Sequence, residues 1–390
     1  MIDYSKYLNE HARSIKPSGI RRFFDIANEM EDVISLSIGE PDFFTPWHIR
    51  EEGITALEKG RTRYTPNRGL MTLREEICKF FKRKYQLTYH PESEVLVTVG
   101  GSEAVDMALR CLVGAGDEVI IPEPCFVCYD PLTRMAGGVP VTIETKAENE
   151  FRLTVEELEN AITDKTKVLI FPYPSNPTGA VMRREHMEAL TEVIIKHDLI
   201  VLSDEIYSEL TYGDRPHVSI ASLPGMQERT IVINGFSKTY SMTGWRMGYA
   251  VGPKELIAPM TKLHQYAIMS APTMSQFAAI EALRNGDDDI AEMRDQYDMR
   301  RRLIVDGLNR LGLTCFEPEG AFYVFPSIQS TGMTSDEFCE RLIYDKHVAV
   351  VPGTAFGECG EGYIRISYAY SIKHLSEALN RIATFLKEIQ

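Results

Sequence analysis

The chain has 390 residues, more than one hydrophobic core normally supports, so we expect roughly two domains. Its 42 lysines and arginines against 56 acidic residues give a net charge of −14, and a field of that sign repels nucleic-acid phosphates. The N-terminal residues carry several charges and lack an apolar core, and no later apolar run reaches the roughly 18 residues that a membrane-spanning helix needs. We therefore expect a cytoplasmic protein that binds neither nucleic acid nor membrane.

Short apolar runs alternate with helical patterns between about residues 94 and 251, which is typical of a mainly parallel sheet. The predicted strands are 95–99, 118–121, 139–143, 167–171, 200–203, 230–233 and 249–251. Farther along, charged helical patterns at 289–311 and 374–389 flank short predicted strands at 321–325, 349–351 and 363–367. The sequence thus predicts an α/β fold with a large parallel-sheet domain and a second, smaller α/β unit.

Most of these predicted strands end in a polar or glycine-bearing turn, and ligands of parallel sheets bind beyond the carboxyl ends of the strands. After strand 95–99 come Gly100, Gly101 and Ser102 and then a helical run, an arrangement that favours anion binding at the helix start. A tight turn with a serine cap is the alternative. Phe126, in the turn after the next strand, is either a core aromatic or a platform for a flat ring.

The seven cysteines are an odd number scattered along the chain, which fits reduced thiols better than a disulfide framework. Cys125 and Cys128 form a C-x-x-C pair, but neither a second pair nor histidines at matching spacing accompany it, as a structural zinc would require. The sequence therefore predicts no metal site.

Two further strands end in polar residues that fit a cofactor site. The proline-rich loop after strand 167–171 presents Asn176 and is predicted to be rigid, with a cis bond before a proline as one option and a plain turn as the alternative. Asp204 ends the next apolar strand, where a carboxylate needs a cationic partner such as a protonated pyridine nitrogen, and Tyr207 could reach the phenolic oxygen of the same ring. Alternatively, Asp204 or Glu205 caps a following helix.

Lys238 is surrounded by small, hydroxylated and glycine residues, with Arg246 eight positions farther on. An amine that must bond to an aldehyde cofactor needs close backbone approach and phosphate-binding donors nearby, whereas a solvated loop lysine does not. Arg365 lies inside the apolar alternation 363–367 and should not remain unpaired. Its planar guanidinium can pair either with a ligand carboxylate or with an acidic side chain in an internal salt bridge.

From about Ile20 to the C-terminus, this set of motifs resembles the fold type I pyridoxal-phosphate (PLP) enzymes, and most closely the class I aspartate and aromatic amino acid aminotransferases. The resemblance implies a large PLP-binding domain at 46–285 with a mainly parallel seven-stranded sheet, and a small domain formed by 1–45 and 286–390. It also implies a ping-pong reaction that moves the amino group of an aromatic or aspartate-type L-amino acid to a 2-oxo acid such as 2-oxoglutarate.

Carried over residue by residue, the resemblance implies that Lys238 binds PLP as a Schiff base and later acts as the base, while Asp204 pairs with the pyridinium nitrogen. Asn176 and Tyr207 would hydrogen-bond the ring phenolate, and Phe126 would stack on the ring. The residues that would hold the phosphate are Gly101, Ser102, Ser237 and Arg246.

The substrate carboxylate would bind Arg365 next to Asn176, with the backbone N–H of Gly39 as a further donor. Tyr64 resembles the tyrosine that reaches the phosphate of the neighbouring subunit, so the resemblance implies a homodimer with shared active sites.

The chain departs from the aspartate-specific bacterial branch at Ser102, where that branch often has a lysine for the second carboxylate. Arg21 and Arg22 could supply a replacement cation or face solvent, and the segments 18–27, 325–326 and 331–334 look closer to aromatic aminotransferases. Gly235 stands where some relatives have a further phosphate-binding hydroxyl. Two alternatives remain at this point, a PLP-dependent carbon–sulfur β-lyase and a non-catalytic PLP-binding regulator, although the acidic charge disfavours the second.

Overall fold

A computed structural model describes residues 2–15, 17 and 19–389, without the side chains of Arg21, Phe24 and Asn28. The α-helices in the described residues are α1 (Glu10–Ser14), α2 (Gly19–Glu29), α3 (Trp47–Glu58), α4 (Met71–Tyr85), α5 (Gly101–Leu112), α6 (Tyr129–Met135), α7 (Val155–Ala161), α8 (Arg184–Lys196), α9 (Lys254–Ala267), α10 (Thr273–Asn285), α11 (Asp287–Arg310), α12 (Ser335–Lys346) and α13 (Ile372–Ile389). The strands are β1 (Ile34–Ser35), β2 (Val95–Thr98), β3 (Glu118–Glu123), β4 (Val139–Glu144), β5 (Thr166–Phe171), β6 (Ile200–Asp204), β7 (Thr230–Gly235), β8 (Gly248–Val251), β9 (Tyr323–Val324), β10 (Val348–Ala349), β11 (Val351–Pro352) and β12 (Ile364–Ser367). None of these helices combines the length and the apolar composition needed to cross a bilayer.

The large sheet has seven strands in the order β2-β8-β7-β6-β5-β3-β4. β8 runs antiparallel to both of its neighbours, and the other pairings are parallel. The seven predicted strands and the mainly parallel sheet are therefore confirmed, with small differences at the strand ends. Because β3, β5, β6 and β7 are parallel, the turns that follow them lie along one edge of the sheet.

Helices cover both faces of most of this sheet, which is why β2, β7 and β8 are buried along their whole length, whereas β4 is partly exposed. In β2, Val95 and Val97 pack with Ile77 of α4 on one face, whereas Leu96 packs with Ala104 of α5 on the other. The alternation follows from the two-residue period of a strand. The large sheet is thus a rigid, buried platform from which the polar turns at the strand ends project.

The second unit contains β1 paired in parallel with β10, the antiparallel sheet β11-β12-β9, and helices α11 to α13. Phe23 and Leu36 from the N-terminal segment share a core with Ile364 and Phe385. This packing supports a small domain made from 1–45 and 286–390, and those boundaries stay a prediction.

Two of the predicted short strands differ from the structure. The run 349–351 belongs to two strands, because β10 pairs with β1 while β11 pairs with β12. The run 321–325 contributes only β9, since Ala321 has φ of 57° and a left-handed residue cannot continue a strand. The predicted helices 289–311 and 374–389 are confirmed as α11 and α13.

Candidate active site

A cavity of about 430 Å³ lies at the carboxyl ends of the parallel strands. Its wall includes the predicted site residues Gly39, Gly101, Ser102, Phe126, Asn176, Asp204, Tyr207, Ser237, Lys238, Arg246 and Arg365. They come from segments as far apart as residues 39 and 365, and most follow β2, β3, β5, β6 or β7 directly. Of the predicted site residues only Tyr64 is elsewhere, on the surface, where the residue is 84% exposed.

Lys238 follows β7 and extends its amine into this cavity. Nζ donates a 2.5 Å hydrogen bond to the carbonyl oxygen of Gly39. Burial lowers the pKa of Lys238 to about 8, and the charges of Arg365 and Arg246 act in the same direction against the opposing charge of Glu40. A substantial share of the amine is therefore neutral near pH 8, as a nucleophile for an aldehyde must be.

Asp204 ends β6 with its carboxylate at the cavity wall. The hydroxyl of Tyr129 donates to Oδ2 at 2.8 Å, and the backbone N–H of Ile206 donates to Oδ1 at 3.2 Å. Burial raises the pKa of Asp204 to about 6, although both hydrogen bonds oppose the rise. No lysine, arginine or histidine of the described chain forms an ion pair with it, so the carboxylate suits a cationic ring nitrogen.

The alternative in which Asp204 or Glu205 caps a helix is wrong, because a series of turns follows β6. Glu205 is 1% exposed and points to a different set of partners. The hydroxyls of Ser203 and Ser219 donate to its Oε1, both at 2.8 Å, and His217 Nε2 lies 2.9 Å from Oε2. Glu205 therefore anchors the turn that carries the site residues and does not enter the cavity.

Arg365 is a buried cation with neutral hydrogen-bond partners. Nη1 donates to Asn176 Oδ1 at 2.9 Å and Nη2 donates to the carbonyl oxygen of Ser37 at 2.5 Å. The rings of Tyr323 and Phe356 pack against the guanidinium. No acidic side chain in the described part of the chain pairs with it, so the internal salt bridge considered above is wrong. Burial lowers the pKa of Arg365, and a ligand carboxylate would relieve the unfavourable burial of its charge.

Another part of the cavity wall has the donors that a phosphate needs. α5 begins at Gly101, and Gly100 just before it has φ of 81°. A Cβ on Gly100 would lie 2.6 Å from Nη2 of Arg246, so only glycine allows the guanidinium this close to the helix start. Arg246 Nη1 donates to the carbonyl oxygen of Thr243 at 3.0 Å. The helix start and this guanidinium fit a phosphate, as Lys238 fits an aldehyde.

Among the cavity residues that were not predicted from the sequence, those with polar side chains are Tyr129, Tyr323, Thr243 and Glu40. Tyr129 begins α6 three residues after Phe126, and the two ring centroids lie 6.1 Å apart, so both aromatics are on the same part of the wall. Tyr323 follows Ala321 and Phe322 in an apolar run, where nothing distinguishes it from a core aromatic.

The candidate replacement cations near the N-terminus do not reach the cavity as far as the structure describes them. Arg22 pairs with Asp336 at 3.3 Å and with Glu340, and it does not line the cavity. The side chain of Arg21 lies outside the described residues. The loop after β5 contains the cis bond considered above, between Tyr173 and Pro174.

Comparison with known proteins places this site in a family. A family model described as "Aminotransferase class I and II" matches residues 31–382. The chain is 49% identical to an aspartate aminotransferase of Pyrococcus abyssi, covering 96% of this chain and 97% of that one. It is 45% identical to aromatic-amino-acid aminotransferase 2 of Thermococcus litoralis, covering 98% of each. The crystal structure of an aromatic aminotransferase from Pyrococcus horikoshii superimposes with a TM-score of 0.90 at 47% identity, covering 94% of this chain and 99% of that one.

Proposed function

The chain belongs to the class I and II aminotransferase family and is a PLP-dependent aminotransferase, and we propose that it prefers aromatic amino acids and acts as a homodimer. The family match supports transamination over the β-lyase and regulator alternatives. We place the enzyme in the cytoplasm, because all seven cysteines are free thiols, as is usual in a reducing compartment.

PLP, when bound, supplies an electron sink that stabilises negative charge at the substrate Cα. In the proposed mechanism the amine of Lys238 would hold the cofactor aldehyde, and in its free form the same amine would take the proton from the substrate Cα. The carboxylate of Asp204 keeps a proton on the ring nitrogen, and Tyr129 holds that carboxylate in place.

Arg365 orients the substrate in this proposal. Two of its N–H groups already donate to Asn176 and Ser37, and the remaining ones can donate hydrogen bonds to the substrate α-carboxylate. Gly39, which also lines the cavity, would add its backbone N–H. A fixed carboxylate limits rotation about Cα, so the bond to the departing proton can be held toward Lys238.

The proposed aromatic preference depends on one observation, the polarity of the cavity wall. Its lining cations are Lys238, Arg246 and Arg365, and each already has a role with the cofactor or the α-carboxylate. Among the described side chains, no further cation lines the wall for a second carboxylate. The remaining lining residues include apolar Ile20, Ile38, Pro172 and Pro174 and the acidic Glu40.

A half-reaction screen tests this proposal. Holoenzyme is mixed with tyrosine, phenylalanine, aspartate, alanine or lysine, and loss of the aldehyde absorbance is followed. We expect tyrosine and phenylalanine to react at least about tenfold faster than aspartate, because an apolar wall leaves a second carboxylate unpaired. Rapid conversion by aspartate alone would contradict the aromatic preference. Pyruvate and ammonia released without an amino acceptor would instead indicate a β-lyase.

The homodimer is supported by exposed apolar side chains on two segments of the chain. In the segments 44–64 and 266–269 they are Phe44, Trp47, Ile54, Leu57, Tyr64, Tyr266, Ile268 and Met269. Hydrogen bonds from Asn67 to the Met269 carbonyl and from Thr273 to the Arg63 carbonyl join the loop of Tyr64 to the segment after α9. Exposed apolar patches of this kind mark protein interfaces, and we propose a second copy of the chain as the partner.

Subunit mixing tests whether the two active sites are shared. Tyr64→Ala and Lys238→Ala proteins should each be nearly inactive. After subunit exchange at equal amounts, half of the dimers are mixed and each mixed dimer has one intact site, so activity should return to roughly a quarter of wild type. If Tyr64 acted within its own subunit, mixing would restore nothing. Sedimentation of the wild-type protein as a monomer would also contradict the proposal.

A further inference from the structure

Tyr323 lies where the cofactor and substrate sides of the cavity meet, and none of the roles above involves it. It begins β9 and is 1% exposed. Its hydroxyl oxygen is 2.8 Å from the hydroxyl oxygen of Tyr207, and its ring centroid is 4.6 Å from the guanidinium carbon of Arg365. Tyr207 is assigned to the cofactor ring and Arg365 to the substrate carboxylate, so one side chain contacts both sides of the site.

The ring of Tyr323 restricts the orientation of Arg365. A guanidinium has five N–H donors, and here Asn176 and Ser37 accept two of them, while Nε has no partner in the described part of the chain. These two hydrogen bonds hold one edge of the planar guanidinium group. Packing of the Tyr323 ring against the guanidinium, with Phe356 at 4.9 Å, limits tilting of the plane and leaves the remaining N–H groups for a carboxylate.

The hydroxyl of Tyr323 acts on the other side of the site. Either tyrosine can be the donor in the Tyr207–Tyr323 hydrogen bond. Once Tyr207 donates to the phenolic oxygen of the cofactor ring, Tyr323 must be the donor to Tyr207, and donation in series strengthens both hydrogen bonds. Burial raises the pKa of Tyr323 while the charge of Arg365 opposes the rise, so the hydroxyl keeps its proton at neutral pH. A methyl group on Gly39 would collide with this hydroxyl, so the close packing depends on that glycine.

We propose that Tyr323 is a positioning residue that couples the two sides of the site, its ring orienting Arg365 for the substrate carboxylate and its hydroxyl orienting Tyr207 for the cofactor. The inference rests on the function proposed above. It assigns separate tasks to the ring and to the hydroxyl, and two substitutions separate them. Tyr323→Phe removes only the hydroxyl, whereas Tyr323→Leu also removes the aromatic ring.

The test uses holoenzyme and two readouts that do not depend on turnover. The first is the dissociation constant of 3-phenylpropionate, a carboxylate without an amino group, and the second is the pH midpoint of the bound cofactor's absorbance change. We expect Tyr323→Phe to raise the midpoint by about half a pH unit while affinity stays within about twofold. Tyr323→Leu should shift the midpoint similarly and weaken 3-phenylpropionate binding about tenfold, because the guanidinium loses its ring contact.

Tyr212→Phe is the matched control. Tyr212 is a buried tyrosine of the same core whose hydroxyl donates to the carbonyl oxygen of Ala321, and it does not line the cavity. It should change thermal stability without moving either readout. The inference is overturned if Tyr323→Phe weakens binding as much as Tyr323→Leu, if both variants match wild type, or if Tyr212→Phe reproduces their effects. A wild-type holoenzyme that fails to react with tyrosine would instead contradict the proposed function.

Discussion

The Lys238→Ala protein should show a fall in kcat of at least about 10⁴-fold, because in the proposed mechanism one substitution removes both the covalent attachment of the cofactor and the general base. In the structure Lys238 lines the same cavity as Asp204 and Arg365, and no other lysine lines that cavity in the described part of the chain. The variant should still take up PLP through the phosphate donors. Stopped-flow loss of the aldehyde absorbance with tyrosine measures the effect.

Lys254→Ala is the control for this experiment, because Lys254 is 67% exposed on α9 and should leave the rate unchanged. The pH dependence gives a second check. Burial lowers the pKa of Lys238 to about 8, so covalent uptake of PLP by cofactor-free protein should accelerate as pH rises through about 8 and then level off. Wild-type turnover by Lys238→Ala would contradict the whole assignment.

The sequence predicted the catalytic edge of the sheet because parallel strands have a strong local signature. An apolar run followed by a polar turn recurs at Asp204, Asn176 and Lys238, and strand order places those turns side by side. These functional groups can also be recognised from the neighbouring sequence, because a carboxylate, an amide or an amine is unusual at the end of an apolar segment. The structure brings these three into one cavity.

The parts of the site that were missed depend on long-range packing. Tyr323 lines the cavity two residues after Ala321, whose left-handed backbone conformation interrupts the apolar run. Glu205 caps no helix, because turns follow β6. Its carboxylate instead contacts Ser219 and His217, which are 12 to 14 residues away in sequence and which no local pattern indicates. Side chains recruited by tertiary contacts have no periodic signal of their own.

Arg365 shows how the structure sharpens a sequence argument. The apolar alternation around it predicted a buried guanidinium that needs a partner. It could not distinguish whether that partner is a ligand carboxylate or an acidic side chain of the protein. The structure shows Asn176 and a backbone carbonyl as partners in the described part of the chain, and both are neutral. A buried positive charge without an acid is costly, and a substrate carboxylate would reduce that cost each time it binds.

Asp204→Asn should lower kcat for tyrosine by about 10²- to 10³-fold, because the amide keeps the shape of the carboxylate but cannot hold a proton on the ring nitrogen. Burial raises the pKa of Asp204 to about 6 in the cofactor-free protein, so below that pH the carboxyl is neutral and pairs poorly with a cationic ring. Wild-type affinity for PLP should therefore fall as pH drops through about 6. The Asn variant should bind weakly at every pH and lack this dependence.

Stability measurements separate this loss from unfolding. The pKa of Asp204 is raised in the folded state from its ordinary value of 3.8, so the folded cofactor-free protein binds the proton more tightly and its stability falls as pH rises from about 4 to about 6. At pH 7 the cofactor-free Asp204→Asn protein, which avoids a buried negative charge, should melt no lower than wild type. Asp214→Asn, at an exposed acid without an ion pair in the described residues, serves as the control. Either of two results would contradict the proposed role of the Asp204 carboxylate. One is a fully active Asp204→Asn enzyme, and the other is a wild-type affinity for PLP that does not change between pH 5 and pH 7.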